Sequence, residues 1–308
     1  MLLLREHIMQ PCKSPFCILY YAALLLVLSS VQFTCATVKP PSPFSRLCPR
    51  KITSESKWQT CAEQTLKTWN DGTAKVRSSN LAAMMETYAG IVDPNIVVRL
   101  EPVGTFVGLD MVAEYETIFA SPTGPAMIIR PISYVLRRYV AHRPIAVATV
   151  DFLFSNMLNG NAANLTIEQW FRFNEYNRIA SADFVLPRYT EFLQALQLDS
   201  MLSQDPSIPQ SIVASVCNAS AAFCSSPGLE HYADFASCAG FLSSIPFMNP
   251  LRTQANSVLC RLVHASLVAY APQIHCSHIG PTGGGVCIDE PYSAYYTSSP
   301  FPPATFIS

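Results

Sequence analysis

Residues Leu81–Tyr115 read LAAMMETYAGIVDPNIVVRLEPVGTFVGLDMVAEY, and the fold turns on this stretch. Leu81, Met84, Met85 and Tyr88 recur at helical spacing, with Ser78 or Ser79 placed to cap the first turn, and the helix ends near Gly90. Asp93-Pro94-Asn95 then makes a turn. The β-branched run Ile96 to Leu100 predicts a strand, and Gly104 to Gly108 a second short extended piece. Asp110 opens another helix through Phe119, with Val112, Tyr115, Ile118 and Phe119 as its apolar stripe and Ser121-Pro122 as its stop.

Four segments of strand character follow: Ala126 to Val140, Ile145 to Phe154, Leu165 to Asn174 and Arg178 to Leu186. Turn-rich connections separate them, namely His142-Arg143-Pro144, Asn159-Gly160-Asn161 and Glu175-Tyr176-Asn177. In the third, Ile167, Gln169, Phe171 and Phe173 alternate with Glu168, Trp170 and Arg172, so one row faces a core and the other a wetter surface or a cavity wall. Long antiparallel strands in series make a meander, and a helix from about Arg188 to Leu198 closes the unit. Helices first, then a curved antiparallel sheet wrapped over them, is an α+β cone.

Leu81 to Phe119, together with Gln169-Trp170-Phe171-Arg172-Phe173 and Asn177-Arg178-Ile179, resembles a SnoaL-like domain of the NTF2-like superfamily. The resemblance covers residues 60–198. It implies an apolar cavity between helices and sheet, used in relatives as an enzyme site or as a binding pocket. Enzymatic relatives include polyketide cyclases, ketosteroid isomerases, dehydratases and epoxide hydrolases. They pair a carboxylate or His that accepts a proton with a donor to the developing oxyanion. A homodimer through the exposed face of the sheet is also common among them.

The candidates for that chemistry are few. Asp183 is in step with Ile179 on the last strand, so it points inward as a general base if Ile179 does; a strand bend or an outward side chain would make it structural. Asp151 shares a face with Val147 and Thr149 and is the second acid. Tyr88 is the candidate donor, with a core position as the plainer reading. Asp93 is explained by turn capping, and His142 by a solvated loop. The last strand closes on Leu186, Pro187 and Arg188 where the family often carries an Asp, and no Gly-Thr-His run is present. Both absences favour ligand binding over catalysis.

The flanks set the compartment. Arg5 and Lys13 precede an apolar run from Cys17 to Val31, followed by Thr34-Cys35-Ala36, which reads as a signal peptide over 1–36 cleaved near Ala36. Residues 37–59 form a Pro-rich linker. Of the 11 cysteines, cleavage removes Cys12, Cys17 and Cys35 and leaves an even set: Cys48, Cys61, Cys217, Cys224, Cys238, Cys260, Cys276 and Cys287. A secreted, extracellular, disulfide-bonded protein is expected. Cys48 pairs with Cys61 by proximity and exclusion, and the pairing of the other six stays open. The sequons at Asn164 and Asn218 fit the same compartment. A net charge of −1 with 13% charged residues excludes a nucleic-acid partner, since no basic stripe is present. Nothing beyond the leader is apolar enough to hold the chain in a membrane.

Residues 199–291 make a Cys-rich region of short helices, including Tyr232 to Leu242 and Ala255 to Ala269, in which disulfides compensate for a small core. It resembles no family on its residues. His275-Cys276-Ser277-His278 has a metal-binding spacing, and His264, with His231 nearby in sequence, adds further imidazoles. With the cysteines in disulfides, a site would use His264, His275 and His278 or add Asp289; without it the histidines are structural and the chain needs no metal or cofactor. Gly283-Gly284-Gly285 is a flexible loop, and 292–308 a disordered tail rich in Ser, Pro and Tyr. Three readings remain: a secreted module binding a small apolar ligand, a proton-transferring enzyme, or an interaction protein whose cone is filled by its own side chains.

Overall fold

The computed structural model describes residues 48–49, 51–75, 81–117, 128–198, 207–249, 252–291 and 293–294. The leader expected over 1–36, much of the linker, the Ser78 or Ser79 cap and nearly all of the 292–308 tail lie outside them.

The first helix, α1 (Glu55–Lys75), begins inside the expected linker and is 21 residues long. Trp58, Ala62, Leu66 and Trp69 are spaced four, four and three apart, and all are buried, so one helical stripe carries the whole contact. Glu55 sits in its first turn, where a negative charge suits the helix dipole. Two shorter helices follow at α2 (Leu81–Ala89) and α3 (Leu109–Thr117), on either side of β1 (Val92–Glu101) and β2 (Gly104–Val107).

The remaining strands are β3 (Ile129–His142), β4 (Ile145–Asn156), β5 (Ala162–Phe173) and β6 (Ile179–Val185). They give one six-stranded sheet in the order β2-β1-β6-β5-β4-β3. The last four form the antiparallel meander, while β1 joins β6 in parallel. β4 alternates strictly between half-buried and buried from Ile145 to Asn156, so its even-numbered residues face the concave side. Register shifts in the β3–β4 and β5–β6 pairs bend the sheet as bulges do. The curl lets the sheet close over α1.

Aromatic rings fill that contact. Trp58 meets Phe173 edge to face at 5.5 Å, and Trp69 meets Tyr88, Phe171 and Phe184 at 4.9, 5.7 and 5.6 Å. Each such ring contributes about 1.5 to 3 kcal/mol by burial alone. The polar pair inside is matched reciprocally: Asn70 Nδ2 donates to Gln169 Oε1 at 3.2 Å and Gln169 Nε2 to Asn70 Oδ1 at 2.9 Å. This pairing explains how an amide sits on the inward row of β5 without cost.

After β6, α4 (Tyr189–Ala195) crosses the open end of the cone. The chain then builds α5 (Ser207–Phe223), α6 (Phe235–Ser244), α7 (Val258–Ala265) and α8 (Pro272–Ile279). A capping box between Asp234 and Ser237 starts α6, and Ser257 caps α7 through the Cys260 N–H. Three disulfides join them: Cys217–Cys238, Cys224–Cys276 and Cys260–Cys287. The fourth, Cys48–Cys61, ties the entry of the chain to α1. Arg261 is fully buried among these helices, donating to the carbonyls of Gly280 and Ser257 and lying over the Phe241 ring.

The helical region packs on the cone at the β1–β2 turn. The Thr253 N–H donates to the Pro102 carbonyl at 3.2 Å, and Gln254 lies so close on Gly104 that any side chain there would strike it. Among the described residues no helix is long and apolar enough to cross a membrane.

Candidate functional site

The concave face of the sheet, α1, α3 and α4 enclose a cavity of about 80 Å³. Its wall is largely apolar, with Phe152, Phe154 and Phe184 from the sheet and Phe192 from α4. A second, smaller cavity of about 20 Å³ adjoins it, and Trp69, Tyr115 and Glu116 line both.

Glu116 is the group that stands out. It is 5% exposed, and its Oε2 has no hydrogen-bond partner among the described residues. Burial pushes its carboxyl up to about 7, with only a hydrogen bond from the Thr73 hydroxyl acting the other way. Tyr115 and Tyr189 also line the cavity. Burial raises both phenols, and the Glu116 charge raises Tyr115 further, so both remain O–H donors at neutral pH. The constellation is therefore one acid poised between its two protonation states beside two neutral donors in a largely apolar pocket.

The sequence reading misses Glu116. A signal was present: it lies four residues after Val112 and three before Phe119, which puts an acid on the apolar stripe of α3. Local spacing does not reveal that the stripe borders a void.

The acids singled out from sequence sit elsewhere. Asp183 is on the convex face, where Arg99 of β1 grips it with two guanidinium nitrogens, one at 2.9 Å. The parity argument from Ile179 fails because of a bulge. Phe173 pairs with Ile179 but Arg172 pairs with Ser181, so Ala180 is an extra residue and the facing inverts after it. Ile179 is inward, and so are Ala182 and Phe184, which turns Asp183 out. Asp151 does share a face with Val147 and Thr149, and that face is the outer one. It accepts from Thr166 at 2.8 Å and from Arg137 at 2.7 Å, and these partners hold its carboxyl below the usual range, Thr166 most.

Tyr88 is fully buried but does not line the cavity. Its hydroxyl donates to the Trp69 carbonyl at 3.4 Å and stays protonated because of burial. Thr73 lies within hydrogen-bonding reach of both Tyr88 and Glu116, so Tyr88 stands behind the acid and not across the pocket from it. Asp93 caps its turn through the Asn95 N–H and accepts from Asn174. Asn164 and Asn218 are both exposed, on β5 and α5.

Outside this pocket, the histidines spread along the C-terminal sequence come together. His264, on α7, sets its Nδ1 3.1 Å from that of His275 and 3.3 Å from that of His278, both on α8. Burial, reinforced by the neighbouring rings, depresses His264 well below its ordinary value and takes His278 down to about 4. His231 is exposed and lies outside the cluster, bonded to the Leu229 carbonyl.

Among solved structures, an LEH-like epoxide hydrolase from M. tuberculosis is similar at 9% identity, TM-score 0.35, covering 48% of this chain and 98% of its own. A steroid delta-isomerase from Pseudomonas aeruginosa is similar at 17% identity, TM-score 0.31, covering 46% and 94%. Among curated proteins, the bifonsecin B biosynthesis cluster protein A of Aspergillus brasiliensis is 27% identical over 222 residues, 69% of this chain and 74% of that protein. The aurasperone B biosynthesis cluster protein A of Aspergillus niger is 30% identical over 203 residues, 62% of this chain and 66% of that protein. The Cys-rich helices, which resemble nothing on sequence reading, are the part a family model describes: residues 180–290, from the last strand of the cone through α8, match the BfoA family C-terminal domain.

Proposed function

We propose that the cone binds a small, largely apolar molecule and that Glu116 moves a proton on it, a reaction of the isomerase, dehydratase or hydrolase kind. The observation that carries this reading is the buried Glu116 carboxyl, with Oε2 unpartnered among the described residues, on an apolar cavity. A carboxyl near 7 is both a competent base and a competent acid at neutral pH. Tyr115 and Tyr189 supply hydrogen bonds to the charge that develops on the substrate. Similarity to proteins named for biosynthesis clusters supports a small molecule as the ligand class.

The cavity, at about 80 Å³, is well below the several hundred typical of sites that enclose drug-sized ligands. A ring-sized substrate therefore requires the cavity to widen. Secretion belongs to the same proposal, with cleavage near Ala36 and sugars on Asn164 and Asn218; the four disulfides support it, because such bridges persist in oxidising compartments. A homodimer through the outer sheet face is supported by exposed Val135, Val140 and Trp170.

The test is deuterium uptake beside the carbonyl of small cyclic and aromatic ketones, followed by NMR with wild type and Glu116→Gln. A base must be ionised, so exchange by wild type should rise with pH through about 7. Glu116→Gln should bind the same ketones and exchange them roughly 10²- to 10⁴-fold more slowly. Binding with equal exchange in both proteins would reduce the cone to a binding module, and absence of binding would remove the pocket from consideration.

A further inference from the structure

The three imidazoles meet where the helical region touches the cone. Nε2 of His275 lies 3.2 Å from Oε2 of Glu114, on α3 of the cone, and both residues are buried. An ionised carboxylate only accepts, so in a neutral His275 the proton is on Nε2 and the Nδ1 lone pair is turned towards His264. His264 Nδ1 then faces two ring nitrogens, at 3.1 and 3.3 Å, with one proton to offer. One proton does not make a full two-centre hydrogen bond to both, whereas a cation between the three Nδ1 atoms would engage all three lone pairs.

The distances fit a cation of particular size. A tetrahedral zinc ion bound to nitrogen at about 2.0 to 2.1 Å holds its ligand atoms about 3.3 Å apart. The ligand atoms of His264, His275 and His278 all lie within 4.8 Å of one another. Cys260 and Cys287 also lie close to His264, but they are joined to each other and offer no thiolate. An all-imidazole set suits zinc, copper or nickel and not magnesium or calcium.

We propose that His264, His275 and His278 bind one divalent transition-metal ion through their Nδ1 atoms, with zinc as the best match, and that Glu114 orients His275 for it. The carboxylate–imidazole pair is the usual outer support of such a ligand. Glu114 and Glu116 are two residues apart on α3 and so point about 200° apart around it. The ion is therefore separate from the cone cavity, and its place is to clamp α7 and α8 onto the cone.

The test uses the full-length chain with disulfides intact, stripped by chelator and dialysed against Zn(II), with bound metal counted by elemental mass spectrometry. One zinc per chain is expected, and X-ray absorption should show about three imidazole nitrogens near 2.0 Å with no sulfur. His278→Ala, at a half-buried ring, should weaken binding roughly 100-fold or more. Glu114→Gln should weaken it roughly 10- to 100-fold without changing the stoichiometry, while His231→Ala changes nothing. No stoichiometric zinc on the wild type, sulfur in the metal shell, or full affinity in His278→Ala would each overturn the site. The X-ray absorption of the wild type decides the matter if His278→Ala does not fold, and unchanged affinity in Glu114→Gln would remove Glu114 from it.

Discussion

The cone buries Trp58, Trp69, Phe152 and Phe171 between a 21-residue helix and a six-stranded sheet, and one disulfide sits at its edge. Residues 207–291 bury mainly Val, Leu, Ile and Cys among helices of 17, 10, 8 and 8 residues, and three disulfides run through them. Helices of eight residues do not persist alone in water, and small side chains bury too little area to hold four of them. Where a long helix and a sheet supply the area, a single bridge accompanies them. Where the elements are short, covalent bridges lower the entropy of the unfolded chain instead.

The largest effect should come from breaking the bridge with the longest separation, 52 residues between Cys224 and Cys276. The double substitution Cys224→Ser with Cys276→Ser should cost the helical region about 4 kcal/mol. Hydrogen exchange should then show α5 to α8 losing protection while α1, β4 and β5 keep theirs. Equal loss in both regions would mean one cooperative unit and would end the distinction.

The next effect separates the regions by pH. Glu116 titrates at about 7 in the folded state against an ordinary 4.5, so the folded state holds its proton more tightly. The stability it confers is full below about pH 4.5, falls as pH rises through 7, and is constant above, a loss of about 3 kcal/mol. Denaturant unfolding of the cone should show that slope in the wild type and not in Glu116→Gln. A slope that survives the substitution would assign it to another group.

The smallest effects are expected on the outer sheet face. Asp183→Asn should cost roughly 1 kcal/mol by loosening Arg99, and Asp151→Asn less, since Arg137 is largely exposed. Neither should change proton exchange on ketones, the opposite of Glu116→Gln. A loss of exchange in Asp183→Asn would return that residue to the site.

Much of this was legible before folding. The helix at Leu81–Ala89, the strands at Val92–Glu101 and Gly104–Val107, and the four-strand meander follow from periods of 3.6 and 2 that backbone geometry imposes within a few residues. The even set of cysteines anticipated bridges, and all eight are bridged. The candidate site was not legible. Strand parity left Asp183 open between the inner and the outer face, and the extra residue at Ala180 that settles it depends on how β6 pairs with β5. Glu116 was passed over because a charge on an apolar stripe is ordinary unless the stripe faces a void.

By itself the sequence determined the elements of the cone from Leu81 onward and their order, because these depend on neighbours along the chain, while the long helix Glu55–Lys75 before them went unread. Only the tertiary structure decided which face of each strand is inside, that Glu116 borders the cavity, and that His264, His275 and His278 converge beside Glu114. Glu114 and His275 are 161 positions apart, and no local rule acts over such a distance; packing of α3 against α8 brings them together.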